Sequence, residues 1–224
     1  MLDDATRWDL IHKKSHKEDN WHSVYAEEKE KLFPSGSLVV ELGSGTGADA
    51  LYFLKQGHSI IALDISSFAL SVLKEKAKKE NLLAKLATQT VDFGLHSLPV
   101  KDSSVDVAFS RISLNYFGAK QTTKIFGDIY RILKPNGMAY LSFKSPDDVA
   151  EMDYFEKSSV VYEPNVFIEG EMLRSRFSVV QLEQMLKNAG IVVFSVKPYQ
   201  ESLLHKGEGH HPVLYVNDIT FTKQ

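Results

Sequence analysis

The strongest constraint on this chain is the stretch Leu38-Val-Val-Glu-Leu-Gly-Ser-Gly-Thr-Gly47, an apolar run that ends in glycines at 43, 45 and 47. A short apolar run that stops at glycine reads as a strand buried on both faces. The loop after it lets backbone pass close to a ligand where a Cβ would collide. A second apolar run, Ile60-Ile-Ala-Leu-Asp64, brings a carboxylate 21 residues after Gly43. That spacing suits an acid gripping both hydroxyls of an adenosine ribose. The expectation is therefore an adenosine-containing ligand.

The loop alone leaves that ligand open. Gly43-x-Gly45-x-x-Ala48 fits the dinucleotide fingerprint, whose third position accepts Gly or Ala. Glu41-x-Gly43-x-Gly45-x-Gly47 also resembles the first motif of the S-adenosylmethionine-dependent methyltransferases. Three later segments extend that resemblance. Val91-Asp92-Phe93 is similar to the family's adenine-contacting motif. Asp106 to Tyr116 is similar to its fourth strand and the segment beneath the methyl group. Arg131-Ile-Leu-Lys-Pro-Asn-Gly137 and the run to Ser142 are similar to its Leu-Lys-Pro-Gly-Gly turn and fifth strand. Together they cover roughly residues 37 to 143 in the family's order and resemble the class I, Rossmann-like type that acts on small molecules or RNA.

The resemblance implies roles for named residues. Glu41 would orient the methionine ammonium, and its charge would repel a pyrophosphate, which argues against a nicotinamide cofactor. Gly43, Ser44, Gly45 and Gly47 would bring backbone to S-adenosylmethionine and to its product S-adenosylhomocysteine. Asp64 would accept from the ribose hydroxyls. Asp92 and the backbone of Phe93 would bond the adenine, with Ile65 and Phe93 on its faces. Ser110 and Arg111 end strand four, in the crevice where open α/β sheets bind ligands. Asn115 and Tyr116 are candidates for the acceptor contact, and His210 for a base. Plainer roles compete: Asp64 could cap a helix, Asp92 could serve a turn, and Phe93 could be core.

Composition narrows the chemistry. The chain has 224 residues, a net charge of −3 and no cysteine. It is long enough for one α/β domain with a small cap. The mild negative charge disfavours a broad phosphate-binding surface. Without cysteine there is no thiolate metal site, no covalent route to carbon 5 of pyrimidines and no thiolate-dependent arsenic methylation. No metal site is expected from His12, His16, His205, His210 or His211. The charged N-terminus does not read as a signal peptide, and no apolar run reaches the ~18 residues that span a bilayer. The expectation is a cytoplasmic protein with no membrane partner.

The elements are expected as follows. Residues 1–34 form a helical, aromatic N-terminal segment, in which Trp8, Trp21 and Tyr25 either cover the cofactor or pack on the sheet edge. Residues 35–224 form a single domain. Strands fall at 38–42, 58–63, 86–91, 105–110 and 138–143, alternating with helices at 49–56, after Ser66 or Ser67, and at 120–133. Such alternation implies a parallel sheet with helices on both faces. Residues 145–176 show little periodicity, and the resemblance implies an acceptor-side cap there. Ser178 caps a helix, and strands are expected at 191–196 and 213–222; the resemblance implies that they complete a seven-stranded, Rossmann-like, mostly parallel sheet with an antiparallel last strand.

The leading expectation is methyl transfer to a small molecule. A transfer-RNA nucleoside is the alternative acceptor. A non-catalytic S-adenosylmethionine-binding module and an NAD-dependent oxidoreductase are further alternatives.

Overall fold

The computed structural model describes residues 3–15, 21–202 and 213–224. Its centre is β1 (Leu38–Leu42), with β2 (Ser59–Asp64) and β4 (Val105–Arg111) on either side, both parallel to it. Beyond β2 lies β3 (Leu86–Thr90). Beyond β4 come β5 (Leu133–Lys144), β10 (Val213–Thr222) and, at the edge, β9 (Phe194–Ser202). The order is β3-β2-β1-β4-β5-β10-β9, and β10 runs antiparallel to both of its neighbours. This is a seven-stranded Rossmann-like sheet.

Alternation along β1 assigns its side chains to two cores. Val39 packs on one face with Phe53, Leu54, Leu70 and Leu73 of α3 (Ala48–Lys55) and α4 (Ser67–Lys79). Val40 and Leu42 pack on the other with Phe126 and Leu182 of α5 (Ala119–Ile132) and α7 (Val179–Asn188). The period of two puts Glu41 on the Val39 face, towards the start of α3. After β1 the chain moves outward through β2 and β3, then returns to place β4 on the other side of β1. That reversal opens a crevice at the C-terminal ends of β1 and β4, where Gly43 and Arg111 stand.

Caps appear where the sequence implies them. Ser66 accepts from the Ala69 N–H, and Ser178 and Gln181 form a capping box. Pro135-Asn136-Gly137 lies in an irregular part of β5, with Asn136 at φ 64°.

The helical N-terminal segment holds α1 (Asp4–Ser15) and α2 (Val24–Glu30) among the described residues. Two expectations change. Residues 145–176 are regular: α6 (Val149–Ser158) precedes an antiparallel sheet of β6 (Val160–Glu163), β7 (Val166–Glu169) and β8 (Met172–Ser175). Finally, β9 starts at Phe194 rather than Ile191. Ile191 is buried, but Val192 and Val193 are exposed, and the strand runs on through polar residues and Pro198. An edge strand tolerates both.

Candidate functional site

The loop after β1 is folded back on β2. The N–H groups of Gly43 and Ser44 donate to the Leu63 carbonyl at 2.7 and 3.2 Å. Two of the three glycines are required by the protein's own packing. A Cβ on Gly43 would lie 2.2 Å from the Ser113 Cβ, and one on Gly47 would lie 2.2 Å from Leu73 Cδ1. Only Gly45 opens outward, with His12 Cε1 of α1 at 3.3 Å from its Cβ position.

Four carboxylates converge on this loop. Asp64 is 5% exposed, and its two oxygens accept from the N–H groups of Gly45 (2.7 Å) and Ser66 (2.8 Å). Burial raises its pKa, against the pull of those two bonds and of His12. Glu41 is buried, and its Oε2 has no hydrogen-bond partner among the described residues. Burial, and then the charges of Asp49 and Asp64, push its carboxyl well above the usual range. Asp49 accepts from the Ser23 N–H and hydroxyl at 2.7 and 2.9 Å. Glu201 of β9 is 1% exposed and receives the Arg111 Nε–H at 2.9 and 3.0 Å. Burial raises the Glu201 pKa despite Arg111.

Two cavities flank the loop, and Gly43 and Arg111 line both. The larger, about 450 Å³, also takes in Gly45, Asp64, Ile65, Asp92, Phe93 and Tyr116. Its far wall comes from α1 through Asp4, Trp8 and His12, and from the β7–β8 hairpin through Glu171, Met172 and Leu173. The smaller, about 360 Å³, is lined by Glu41, Ser44, Gly47, Asp49 and Glu201, with Trp21 and His22.

Residues 40–141 match the methyltransferase domain family. The chain is 30% identical over 179 residues to an arsenite methyltransferase of Halobacterium salinarum, covering 75% of this chain and 40% of that protein. It is 25% identical over 118 residues to a malonyl-[acyl-carrier protein] O-methyltransferase of Pectobacterium atrosepticum, covering 53% and 43%. Among solved structures, an S-adenosylmethionine-dependent methyltransferase of Methanosarcina mazei superposes with a TM-score of 0.69 at 19% identity, covering 87% of this chain and 96% of that one. Residues 40–141 form a methyltransferase domain, and the fold is that of the class I S-adenosylmethionine-dependent methyltransferases. It spans about two fifths of the length of the two curated relatives named above.

The chemistry of the methyltransferase site fits its cofactor. The orphaned Glu41 oxygen, beside Asp49 and Glu201, suits a ligand ammonium, and Arg111 suits a ligand carboxylate. Asp64, held open by two backbone bonds, keeps lone pairs for hydroxyl donors. Asp92 lines the larger cavity while also accepting from the Gly94 N–H at 2.8 Å, so it serves its turn as well.

Two expected site residues line neither cavity. Ser110 is fully buried, and its hydroxyl donates to the Leu42 carbonyl at 3.0 Å. Asn115 is 3% exposed; its amide nitrogen donates to the Ile112 carbonyl and its oxygen accepts from the Lys144 N–H. Both side chains bond the backbone around the crevice. Tyr116 does line the larger cavity, edge-on to Trp8 at 4.8 Å between ring centroids, with the Arg174 guanidinium 5.1 Å from its ring. His210, with His16, His205 and His211, lies outside the described residues. Sequence reasoning missed Ser113, Asp49 and Glu201; an acid such as Glu201, distant along the chain from Arg111, gives no local signal. Among the described residues no helix is long and apolar enough to cross a membrane, and no cluster of three His, Cys, Asp or Glu is placed to hold a metal.

Proposed function

We propose that this chain methylates a small-molecule acceptor held in the larger cavity between Tyr116, Trp8 and the β7–β8 hairpin. The observation that carries this reading is the pair of adjoining cavities. One offers acids and an arginine to an amino-acid group, and the other offers Asp64 and an apolar wall to a nucleoside, with room beyond it. In this reading Asp64 holds the ribose, Asp92 and Phe93 the adenine, Glu41 the ammonium and Arg111 the carboxylate. When bound, S-adenosylmethionine supplies an activated methyl group on a sulfonium. The chain's own part is to align the acceptor and exclude water. Trp8 and Tyr116 do the first; α1 and the β7–β8 hairpin do the second.

Charge narrows the acceptor. The larger cavity is lined by Asp4, Asp64, Asp92 and Glu171 against a single arginine, Arg111. Arg7 offsets Asp4 and Glu171, and the lining has one arginine and no lysine, which supports a neutral or cationic small molecule over an RNA acceptor, since RNA needs clustered Lys and Arg. The chain contains no cysteine, so the likeness to an arsenite methyltransferase brings no thiolate to hold arsenic. The test is transfer of isotopically labelled methyl from S-adenosylmethionine to matched amines, hydroxyl compounds, carboxylates and transfer RNA. Labelling of neutral or cationic small molecules supports the reading, and labelling confined to RNA overturns it.

A further inference from the structure

Helix α1 walls the larger cavity, yet none of its residues is fully buried. Its inner face is only partly buried, so specific polar contacts matter to its position. Arg7 pairs with Asp4 and with Glu171 on the β7–β8 hairpin. Lys13 Nζ sits 5.4 Å from the Phe68 ring. Asp9 bonds the start of α4 through both carboxylate oxygens. Its Oδ1 accepts the Ser66 hydroxyl at 2.6 Å and the Phe68 N–H at 3.1 Å, and its Oδ2 accepts the Ser67 hydroxyl at 3.3 Å.

Ser66 is fully buried and works in three directions. Its N–H donates to Asp64 Oδ1, its hydroxyl donates to Asp9, and its oxygen accepts the Ala69 N–H at 3.0 Å as the cap of α4. The start of α4 is thus capped twice, by its own serine and by an acid from another helix. Burial pushes the Asp9 carboxyl up, but the bonds from Ser66, Phe68 and Ser67 prevail and hold it below the usual range.

We infer that Asp9 is a positioning residue for the cofactor site: it hangs α1 across the larger cavity and, through Ser66, sets the orientation of Asp64. This goes beyond the assignment of Asp64 to the ribose. One serine joins the acid that would hold the nucleoside to the helix that carries Trp8 and His12 over it. Docking of α1 and readiness of Asp64 are then one event.

The test uses the full chain in a Trp21→Phe background, where Trp8 is the remaining tryptophan. S-adenosylhomocysteine affinity is read by calorimetry, α1 docking by acrylamide quenching of Trp8, and folding by thermal midpoint. Asp9→Ala is expected to weaken affinity roughly tenfold and expose Trp8 to quencher. Asp9→Asn keeps an oxygen acceptor for Ser66 and is expected to restore most of both. Arg7→Ala frees α1 at its other attachment without touching Ser66, and should expose Trp8 while lowering affinity less than Asp9→Ala does. A lower midpoint in Asp9→Ala with affinity and quenching unchanged would reduce Asp9 to a helix cap and overturn the inference. So would an equal loss of affinity in Asp9→Ala and Arg7→Ala, which would leave cover as the whole effect. If the chain with Trp21 intact fails to bind S-adenosylhomocysteine, the proposed function falls, and unchanged Trp8 quenching in Asp9→Ala would separately overturn the latch.

Discussion

Ser113 occupies the space that a side chain on Gly43 would need. The two residues lie on different loops, one after β1 and one after β4, and the Ser113 hydroxyl donates to the Leu42 carbonyl at 2.7 Å. The floor of the crevice is thus a direct contact between the two loops, closed before any ligand arrives. Gly43 also holds a φ of 71°. Gly43→Ala therefore meets a steric clash and an unfavourable backbone conformation together. The expected loss is about 2–4 kcal/mol of stability, measured by urea unfolding. A loss within 0.5 kcal/mol, roughly the range of neutral surface substitutions, would mean that the two loops move apart freely.

Glu41 gives a proton-linked prediction. Its folded pKa lies well above the usual carboxylate value. A raised acid pKa favours the folded state at low pH, and that advantage falls as pH rises from the ordinary value through the raised one. A ligand ammonium beside Glu41 favours the ionised carboxylate, so binding of S-adenosylhomocysteine should release up to about one proton per site. Calorimetry in two buffers of different ionisation enthalpy measures this. Glu41→Gln should abolish the release and flatten the pH dependence of stability. An unchanged release in the variant would place the proton elsewhere.

Glu151 holds the small sheet's helix to the core. It receives Arg176 at 2.7 and 3.0 Å and Lys144 at 2.6 Å, and Arg176 is 3% exposed. Burial raises the Glu151 pKa, but Arg176 and Lys144 outweigh it and hold the carboxyl below the usual range. Its stabilisation is present above the ordinary glutamate value and lost as pH falls through the lowered one. Glu151→Ala leaves a buried guanidinium unpaired and should cost about 3 kcal/mol. Equal stability of the variant and the parent in urea would show that Arg176 finds another partner.

The parallel sheet was legible because its evidence is local. Leu38–Leu42 and Ile60–Asp64 are short apolar runs bounded by turn residues, and the caps Ser66 and Ser178 stand next to the helices they start. The small sheet was not legible. Its strands are four residues each, and Val160, Val161 and Tyr162 are exposed, so burial imposes no alternation. At the site, Asp64 was legible from its spacing to the glycine loop, and Glu41 from the family resemblance of that loop. Glu201 pairs with Arg111 across 90 residues, and Asp9 reaches Ser66 across 57. Such contacts depend on how elements pack, which spacing does not encode. Ser110 and Asn115 are buried and bond nearby backbone, a pairing their chain positions do not reveal.

The central claim is that Asp64 and the loop beside it bind the nucleoside of S-adenosylmethionine. Calorimetric titration with S-adenosylhomocysteine, set beside NADH and beside an Asp64→Ala variant, tests it most directly. The account predicts binding of S-adenosylhomocysteine in the micromolar range, weakened at least roughly 100-fold in the variant, with no heat from NADH. Absence of binding, or preference for NADH, would contradict it.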